Sequence, residues 1–358
     1  MAGDIGVAVI GYGLAGRVFH APFVSAVPGL RLEAIVQRTG DEAAKAYPDV
    51  RVLRSVEEAL GDAAVQMVVV ATPNETHFDL AKAALEAGKH VVVDKPFAAT
   101  SAGARELIEL AEARGLVLAP FHNRRWDGDF LTVRKILDEG VLGRVVTFES
   151  HFDRFRPVQR AGTWKESSGK ANGLLMDLGP HLVDQVMALF GAPSSILASV
   201  RKDRDETEIE DAFDITLEYE RLRVYCRSTM LAAENAPRFL IHGTRGSFRK
   251  WGLDPQEPAL VAGARVPRVG SDEVWLQEDE SMWGKTAVAP DPDAPERLVR
   301  TRVRTEPGDY RGFYANVRDA VRGEEALAVT TEEGWRVIKL LEMARESSRE
   351  GERLTVAF

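Results

Sequence analysis

Asp177 and His181 stand four residues apart in Gly173-Leu174-Leu175-Met176-Asp177-Leu178-Gly179-Pro180-His181. Residues at that spacing share one side of a helix. An imidazole beside a carboxylate can move a proton near neutral pH. Proline is tolerated in the first turn of a helix, so the stretch predicts a helix entrance at Pro180. Leu182, Val183, Val186, Met187 and Phe190 would be its buried stripe. The pair could instead hold a metal, but no cysteine or further His-Asp-Glu cluster adds a third ligand at a familiar spacing, so no metal is expected. A capping Asp beside a satisfied core His is the plainer alternative. Lys95 offers different chemistry. It follows the apolar run His90–Val93 in Asp94-Lys95-Pro96-Phe97. An amine at the carboxyl end of a buried strand points into the crevice where open parallel sheets bind ligands. A surface lysine before a turn is the alternative there.

Gly11, Gly13 and Gly16 carry the third chemistry. They follow the run Ile5–Ile10, in which four of six residues are β-branched. That run reads as a strand buried on both faces. Gly11 permits the tight turn, Gly13 keeps side-chain atoms away from a pyrophosphate, and Gly16 lets the next helix pack on the sheet. The helix from about Leu14 and Ala15 turns its free N–H groups and positive dipole end toward bound phosphates. The alternative is a glycine turn with no ligand. The second strand, Leu30–Val36, ends in Gln37-Arg38-Thr39 rather than in the carboxylate that would hold a ribose 2′-OH. Arg38 and Thr39 can bind a 2′-phosphate, so NADP is favoured over NAD, unless Arg38 is a solvated strand-end arginine.

The elements needed to place these residues alternate strand with helix through Phe121, as in a doubly wound parallel sheet. Val65–Ala71 is a strand ending in Thr72-Pro73-Asn74, candidate walls for the nicotinamide half of a cofactor. His77 beyond them reads equally as a cap or surface histidine and as a cofactor contact. A helix over Ser101–Arg114 and a strand over Leu116–Phe121 complete the domain. Past His122 the pattern changes to a helix at Asp129–Asp138 and successive strands from Val145 to Trp251, which must pair largely antiparallel. One face of such a sheet stays free and could join subunits. Residues 253–307 read as a long decorated loop with a strand near Arg297–Arg304. Thr330-Thr331-Glu332-Glu333 is a capping box opening a last helix to about Glu350. The division expected is 1–122 for the dinucleotide and 123–358 for substrate and oligomerisation, with the last helix able to pack back on the first domain. In Gly162-Thr163-Trp164-Lys165-Glu166, Trp164 can border a cofactor or anchor a loop, and the sequence does not decide.

The chain has 358 residues and a formal net charge of −9, with no basic stripe, which argues against nucleic acid as a partner. A single cysteine, Cys226, excludes an internal disulfide and fits a reducing compartment. No signal peptide or membrane-spanning run is read, so a cytoplasmic protein is expected.

These motifs together resemble the Gfo/Idh/MocA family of NAD(P)-dependent oxidoreductases. The likeness rests on Gly11-Tyr12-Gly13-Leu14-Ala15-Gly16, Ala71-Thr72-Pro73-Asn74, Lys95-Pro96 and the Asp177/His181 pattern. Asp94 stands where the family usually has Glu, and Asn172 replaces a glycine. Val18-Phe19-His20, His122-Asn123-Arg124-Arg125-Trp126-Asp127 and Asp177-Leu178-Gly179-Pro180-His181 are similar to the NADP-dependent scyllo-inositol dehydrogenase branch. The resemblance implies a Rossmann domain, a C-terminal α/β domain with an open, mostly antiparallel sheet, and dimers or tetramers joined through that sheet. It implies hydride transfer to or from a polyol, cyclitol or sugar, with Lys95, Asp177 and His181 catalytic. Cofactor contacts are expected from Gly11, Gly13, Leu14, Ala15, Arg38, Thr39, Thr72, Pro73, Asn74, His77, Asp94, Lys95, Asn123, Arg125 and Trp164. Two other activities keep the same residues: glycosidic cleavage with a transiently used nicotinamide, and NADP sensing without turnover.

Overall fold

A computed structural model of the protein describes residues 3–159, 169, 171–273 and 275–358. Ile5–Ile10 is strand β1, buried at every residue. A strand covered on both faces has no solvent side, so its sequence does not alternate. Five strands lie parallel with it: β2 (Leu30–Val36), β3 (Arg51–Leu53), β4 (Met67–Val70), β5 (His90–Val93) and β6 (Leu118–Pro120). Their order is β3-β2-β1-β4-β5-β6. The order reverses between β1 and β4, where doubly wound sheets bind their ligands. A π turn, Gly16–His20, leads into α1 (Ala21–Ala26); α2 (Glu42–Ala46), α3 (Val56–Leu60), α4 (His77–Glu86) and α5 (Ser101–Arg114) follow. Thr100 caps α5 by accepting the Gly103 N–H, and Gly115 closes it in the left-handed conformation at φ 63°. In this sheet and its helices, β3 and α3 gave no signal in the sequence. They are three and five residues long, too short for a period to register.

By their contacts the residues form two compact units. The first runs to Asn123 and also takes in Gln256–Trp275 and Asp309–Ile338. The second comprises Arg124–Pro255, Leu276–Gly308 and Lys339–Phe358. In the first unit, α8 (Gln256–Val261) and α9 (Arg311–Val321) join the Rossmann sheet and its helices. Tyr310, Phe313 and Tyr314, at the start of α9, are buried in an aromatic cluster with Phe23 and Phe121.

The second unit opens with α6 (Gly128–Asp138) and β7 (Val145–His151), followed by α7 (Leu174–Phe190). The strands β8 (Ser195–Arg201), β9 (Ala212–Glu218), β10 (Arg223–Thr229), β11 (Phe239–Gly243), β12 (Gly246–Lys250), β13 (Gly284–Val288), β14 (Val299–Val303) and β15 (Leu354–Thr355) complete a nine-stranded sheet. Its order is β14-β13-β12-β11-β7-β10-β9-β8-β15, antiparallel except for β7 beside β10. Phe213, Ile215 and Leu217 of β9 are buried, and α7 packs on β9 and β10; Asp214, Thr216 and Glu218 alternate with them on the other face. The last helix, α10 (Thr331–Glu350), starts with the expected capping box: the Glu333 N–H donates to Thr330 Oγ1 at 3.1 Å, and Glu333 Oε2 accepts the Thr330 N–H at 2.9 Å.

Two expectations are corrected. Pro180 does not open its helix; α7 begins at Leu174, and Pro180 lies inside it. Gly173, at φ 90°, makes the real entrance, where the Leu174 N–H donates to Glu210 O at 2.6 Å. Buried apolar packing holds the helix through the one backbone bond that proline cannot make. Residues 253–307 hold more than a decorated loop with one strand: the strand expected near Arg297–Arg304 is present as β14, and α8 and β13 are added to it. Lys285, Arg300 and Arg302 face the uncovered side of these strands, and the polar residues of β13 hid its strand pattern.

Candidate active site

The turn after β1 is built around missing side chains. Gly11 adopts φ 99°, and a Cβ there would lie 2.6 Å from Ala71 O. A Cβ on Gly16 would lie 2.0 Å from Gly11 O, so the helix could not approach the turn. A Cβ on Gly13 would meet nothing within 4 Å and would project into open space. Leu14 is exposed and Ala15 half-buried at the start of the helix, whose first bond runs from the Arg17 N–H to Gly13 O at 3.0 Å. Two glycines are therefore needed by the fold, and the third leaves the free N–H groups of a helix start open to an anion. These residues fit a dinucleotide pyrophosphate.

At the end of β2, Arg38 and Thr39 are exposed. The nearby carboxylates are engaged: Asp41 with Lys45 at 2.8 Å, and Glu42 with Gln37. Glu42 is held below its usual range by hydrogen bonds from its own backbone and from Gln37. Arg54, at the end of β3, donates to Gln37 O at 2.9 Å and Gly40 O at 2.8 Å. It shapes the turn that displays Arg38, and no local pattern pointed to it.

Thr72, Pro73 and Asn74 follow β4 as expected, with Thr72 Oγ1 2.7 Å from Thr76 Oγ1. His77 corrects an expectation. It is neither a surface residue nor placed to offer a ring nitrogen to a cofactor. It is fully buried, with Nδ1 2.8 Å from Pro96 O and Nε2 2.8 Å from Thr72 O. It ties the turn after β4 to the turn after β5.

Asp94 and Lys95 are half-buried at the end of β5, and the Lys95–Pro96 peptide is cis. Asp94 Oδ1 accepts the Lys95 N–H at 2.8 Å. Burial alone would raise the Asp94 pKa, but His20, Lys95 and His77 together lower it to about 2. The carboxylate is thus charged at neutral pH. The turns after β1, β4 and β5 lie on one edge of the sheet, bringing Gly11–Ala15, Thr72–Asn74 and Asp94–Lys95 to the point where strand order reverses.

In the second unit Asp177 and His181 lie one turn apart on α7, Asp177 half-buried and His181 buried. Arg154 donates to Asp177 Oδ2 at 3.0 Å. Sequence spacing could not find this partner, because it comes from beyond β7. Arg345 braces the start of α7 through Glu210, at 2.6 Å, and Asn172 O, at 3.1 Å. Arg125 forms a two-pronged pair with Asp184 of α7, at 2.9 and 2.6 Å, both residues buried. Its guanidinium thus reaches α7. Asn123 is buried at the end of the first unit, and Trp164 lies outside the described residues.

The chain was then compared with known proteins. Residues 5–122 match the family described as "Oxidoreductase family, NAD-binding Rossmann fold", and residues 134–357 match "Oxidoreductase family, C-terminal alpha/beta domain". The chain belongs to the Gfo/Idh/MocA oxidoreductase family. It is 44% identical to the uncharacterized oxidoreductase YdgJ of Escherichia coli (strain K12), covering 100% of both chains. It is 37% identical to scyllo-inositol 2-dehydrogenase (NADP(+)) IolW of Bacillus subtilis (strain 168), covering 97% of this chain and 94% of the relative. The solved structure of the oxidoreductase yvaA from Bacillus subtilis superimposes with a TM-score of 0.93 at 35% identity, covering 99% of each chain. As a member of this family the protein is an oxidoreductase, a dehydrogenase or reductase with a nicotinamide dinucleotide as cofactor. Among the described residues no helix is long and apolar enough to cross a membrane.

Proposed function

We propose that this protein is an NADP-dependent dehydrogenase or reductase of polyols, cyclitols such as scyllo-inositol, or sugars. The observation that carries the cofactor choice is the end of β2, where Arg38 and Thr39 are exposed while Asp41 and Glu42 are engaged elsewhere. A carboxylate there would repel a 2′-phosphate, and a guanidinium binds one. The likeness to a relative named as an NADP(+)-dependent scyllo-inositol 2-dehydrogenase supports both the cofactor and the substrate class.

In this reading the nicotinamide accepts or donates the hydride at C4. Residues 1–122 hold the dinucleotide through Gly11, Gly13, Leu14, Ala15, Arg38 and Thr39, with Thr72, Pro73 and Asn74 walling the nicotinamide. Residues 123–358 supply the substrate groups. Lys95 hydrogen-bonds the reacting oxygen and stabilises its negative charge. His181 takes the hydroxyl proton in oxidation and returns it in reduction. Asp177, paired with Arg154, accepts hydrogen bonds from substrate hydroxyls and supports His181. Asn123, Arg125 and Trp164 border the nicotinamide or the substrate. The uncovered face of the nine-stranded sheet joins two or four copies. The buried thiol of Cys226, which burial pushes up to about 12, suits a reducing cytoplasm.

The deciding experiment is a panel of cyclic polyols, aldoses and their keto forms, run with NADP and NAD in parallel. Turnover of a cyclitol or sugar, with kcat/KM at least about tenfold higher for NADP, is expected. Equal use of both cofactors would remove the NADP assignment. Lys95→Ala and His181→Ala should each lower kcat about a hundredfold or more while NADP binding, followed by fluorescence, survives. Near-normal turnover in both would remove the catalytic assignment.

A further inference from the structure

His20 is completely buried at the end of the π turn that carries the chain into α1. A buried imidazole has two nitrogens to satisfy. Nδ1 lies 2.6 Å from the hydroxyl of Tyr314, which the chain supplies from α9, 294 residues later. Among the described residues Nε2 has no hydrogen-bond partner, and it faces Asp94 Oδ2 at 3.7 Å. The other oxygen of Asp94 accepts the Lys95 N–H at 2.8 Å. Tyr314, His20, Asp94 and the Lys95 backbone therefore form one line of polar contacts. Apolar rings close around it: the tilted ring of Phe121 is centred 4.3 Å from that of His20, and Phe313 meets Phe121 edge-on at 4.8 Å.

We propose that His20 is a positioning residue for Lys95, acting through Asp94 and itself oriented by Tyr314. The proposal rests on the reading of Lys95 as catalytic. For a neutral ring, one proton arrangement suits all four groups. The Tyr314 hydroxyl donates to Nδ1, so the ring carries its proton on Nε2, turned toward the carboxylate. The opposite tautomer would aim a lone pair at an anion. Burial and the Asp94 charge push the Tyr314 phenol well up, so it keeps its proton and remains a donor. The 3.7 Å gap is longer than a hydrogen bond. The contact acts between the N–H dipole of the ring and the carboxylate charge, and dry aromatic surroundings strengthen it. A fixed Asp94 fixes the peptide N–H of Lys95 and, with it, the direction in which the amine leaves the strand end. Small misplacement of a reacting group is costly to rate while leaving cofactor affinity alone.

The test uses the full chain. In 15N NMR spectra of the unmodified protein, the His20 ring should show the Nε2–H tautomer. An Nδ1–H tautomer would overturn the proposal. Among variants, His20→Phe should lower kcat about tenfold to a hundredfold with the Kd for NADP nearly unchanged. His20→Gln, which keeps a donor toward Asp94, should recover part of the loss. Tyr314→Phe keeps the ring packing and should lower kcat less, while releasing the tautomer preference. Wild-type kcat in folded His20→Phe and Tyr314→Phe, with Lys95→Met inactive, would overturn the positioning role alone. An active Lys95→Met would overturn the reading of Lys95 and the proposal together.

Discussion

Asp94 is the residue whose surroundings say most about the first unit. It sits among His20, His77 and Lys95, and its carboxyl is held at about 2 although burial opposes ionisation. The unfolded chain would titrate it near ~3.9. The folded value is the lower one, so its contribution to stability is complete above the unfolded value and is lost as pH falls through about 2. Thermal melts at stepped pH between about 4 and 2 should therefore show the wild type losing stability faster than Asp94→Asn. Parallel curves would show that the charge contributes nothing to folding. Arg38 is the other decisive side chain. Arg38→Ala should raise the KM for NADP about tenfold or more while that for NAD changes little. An equal rise for both cofactors would exclude Arg38 as the phosphate contact. Lys95, Asp94 and Arg38 were legible in the sequence because each stands at the end of a recognisable strand. His77 was half-read. Its place at the end of a turn was clear, but nothing local says that its ring faces two carbonyls.

The glycine turn and the buried lysine of β12 separate requirements of the fold from requirements of the ligand. Gly16→Ala puts a methyl against a backbone oxygen, at 2.0 Å before any shift, so it should lower the melting temperature and cofactor affinity together. Gly13→Ala meets nothing within 4 Å, so the fold should keep its stability while dinucleotide affinity falls about tenfold. Equal losses in the two variants would contradict this division. Lys250 is fully buried and donates to Glu278 Oε1 at 2.6 Å, Trp251 O at 2.9 Å and Met282 O at 3.0 Å. It pins the segment that leads into β13. Lys250→Met would leave Glu278 buried without its cation and should cost about 3–5 kcal/mol in denaturant unfolding. Adding Glu278→Leu should restore much of that; no recovery would mean the loss is one of packing. The strand β13 escaped the sequence reading because it crosses an uncovered face, where Lys285 and Thr286 interrupt any apolar alternation, whereas its partner β14 was expected near Arg297–Arg304. Pro180 misled for another reason. Its helix is held by burial of nearly every residue, and that tolerates a break which a solvated helix would not.

At the scale of the whole molecule, the face of the nine-stranded sheet opposite α7 carries a groove lined by Leu240, Arg249, Lys285, Arg300 and Arg302. If copies join there, a charge at its apolar point should part them. Sedimentation at micromolar protein should then report a dimer or tetramer for the wild type and monomers for Leu240→Asp. An unchanged mass for the variant would move the interface elsewhere. Tyr219, whose phenol burial pushes well up, donates to Gly191 O at 3.0 Å and is a useful intrinsic probe of the same sheet.

What the residues determined by themselves were the features written within a few neighbours: the apolar run and glycine spacing of the Rossmann turn, the alternation of strand and helix, the caps of α5 and α10, and the Asp177/His181 step. Each depends on the period of a helix or strand or on the geometry of a single turn, and such periods survive in a sequence. Tertiary structure alone decided the pairings: Tyr314 with His20, Arg154 with Asp177, Arg125 with Asp184, Lys250 with Glu278, and the return of residues 309–338 to the first unit. Side chains far apart in the chain meet only after the core has closed, and no local rhythm records which arginine will find which carboxylate.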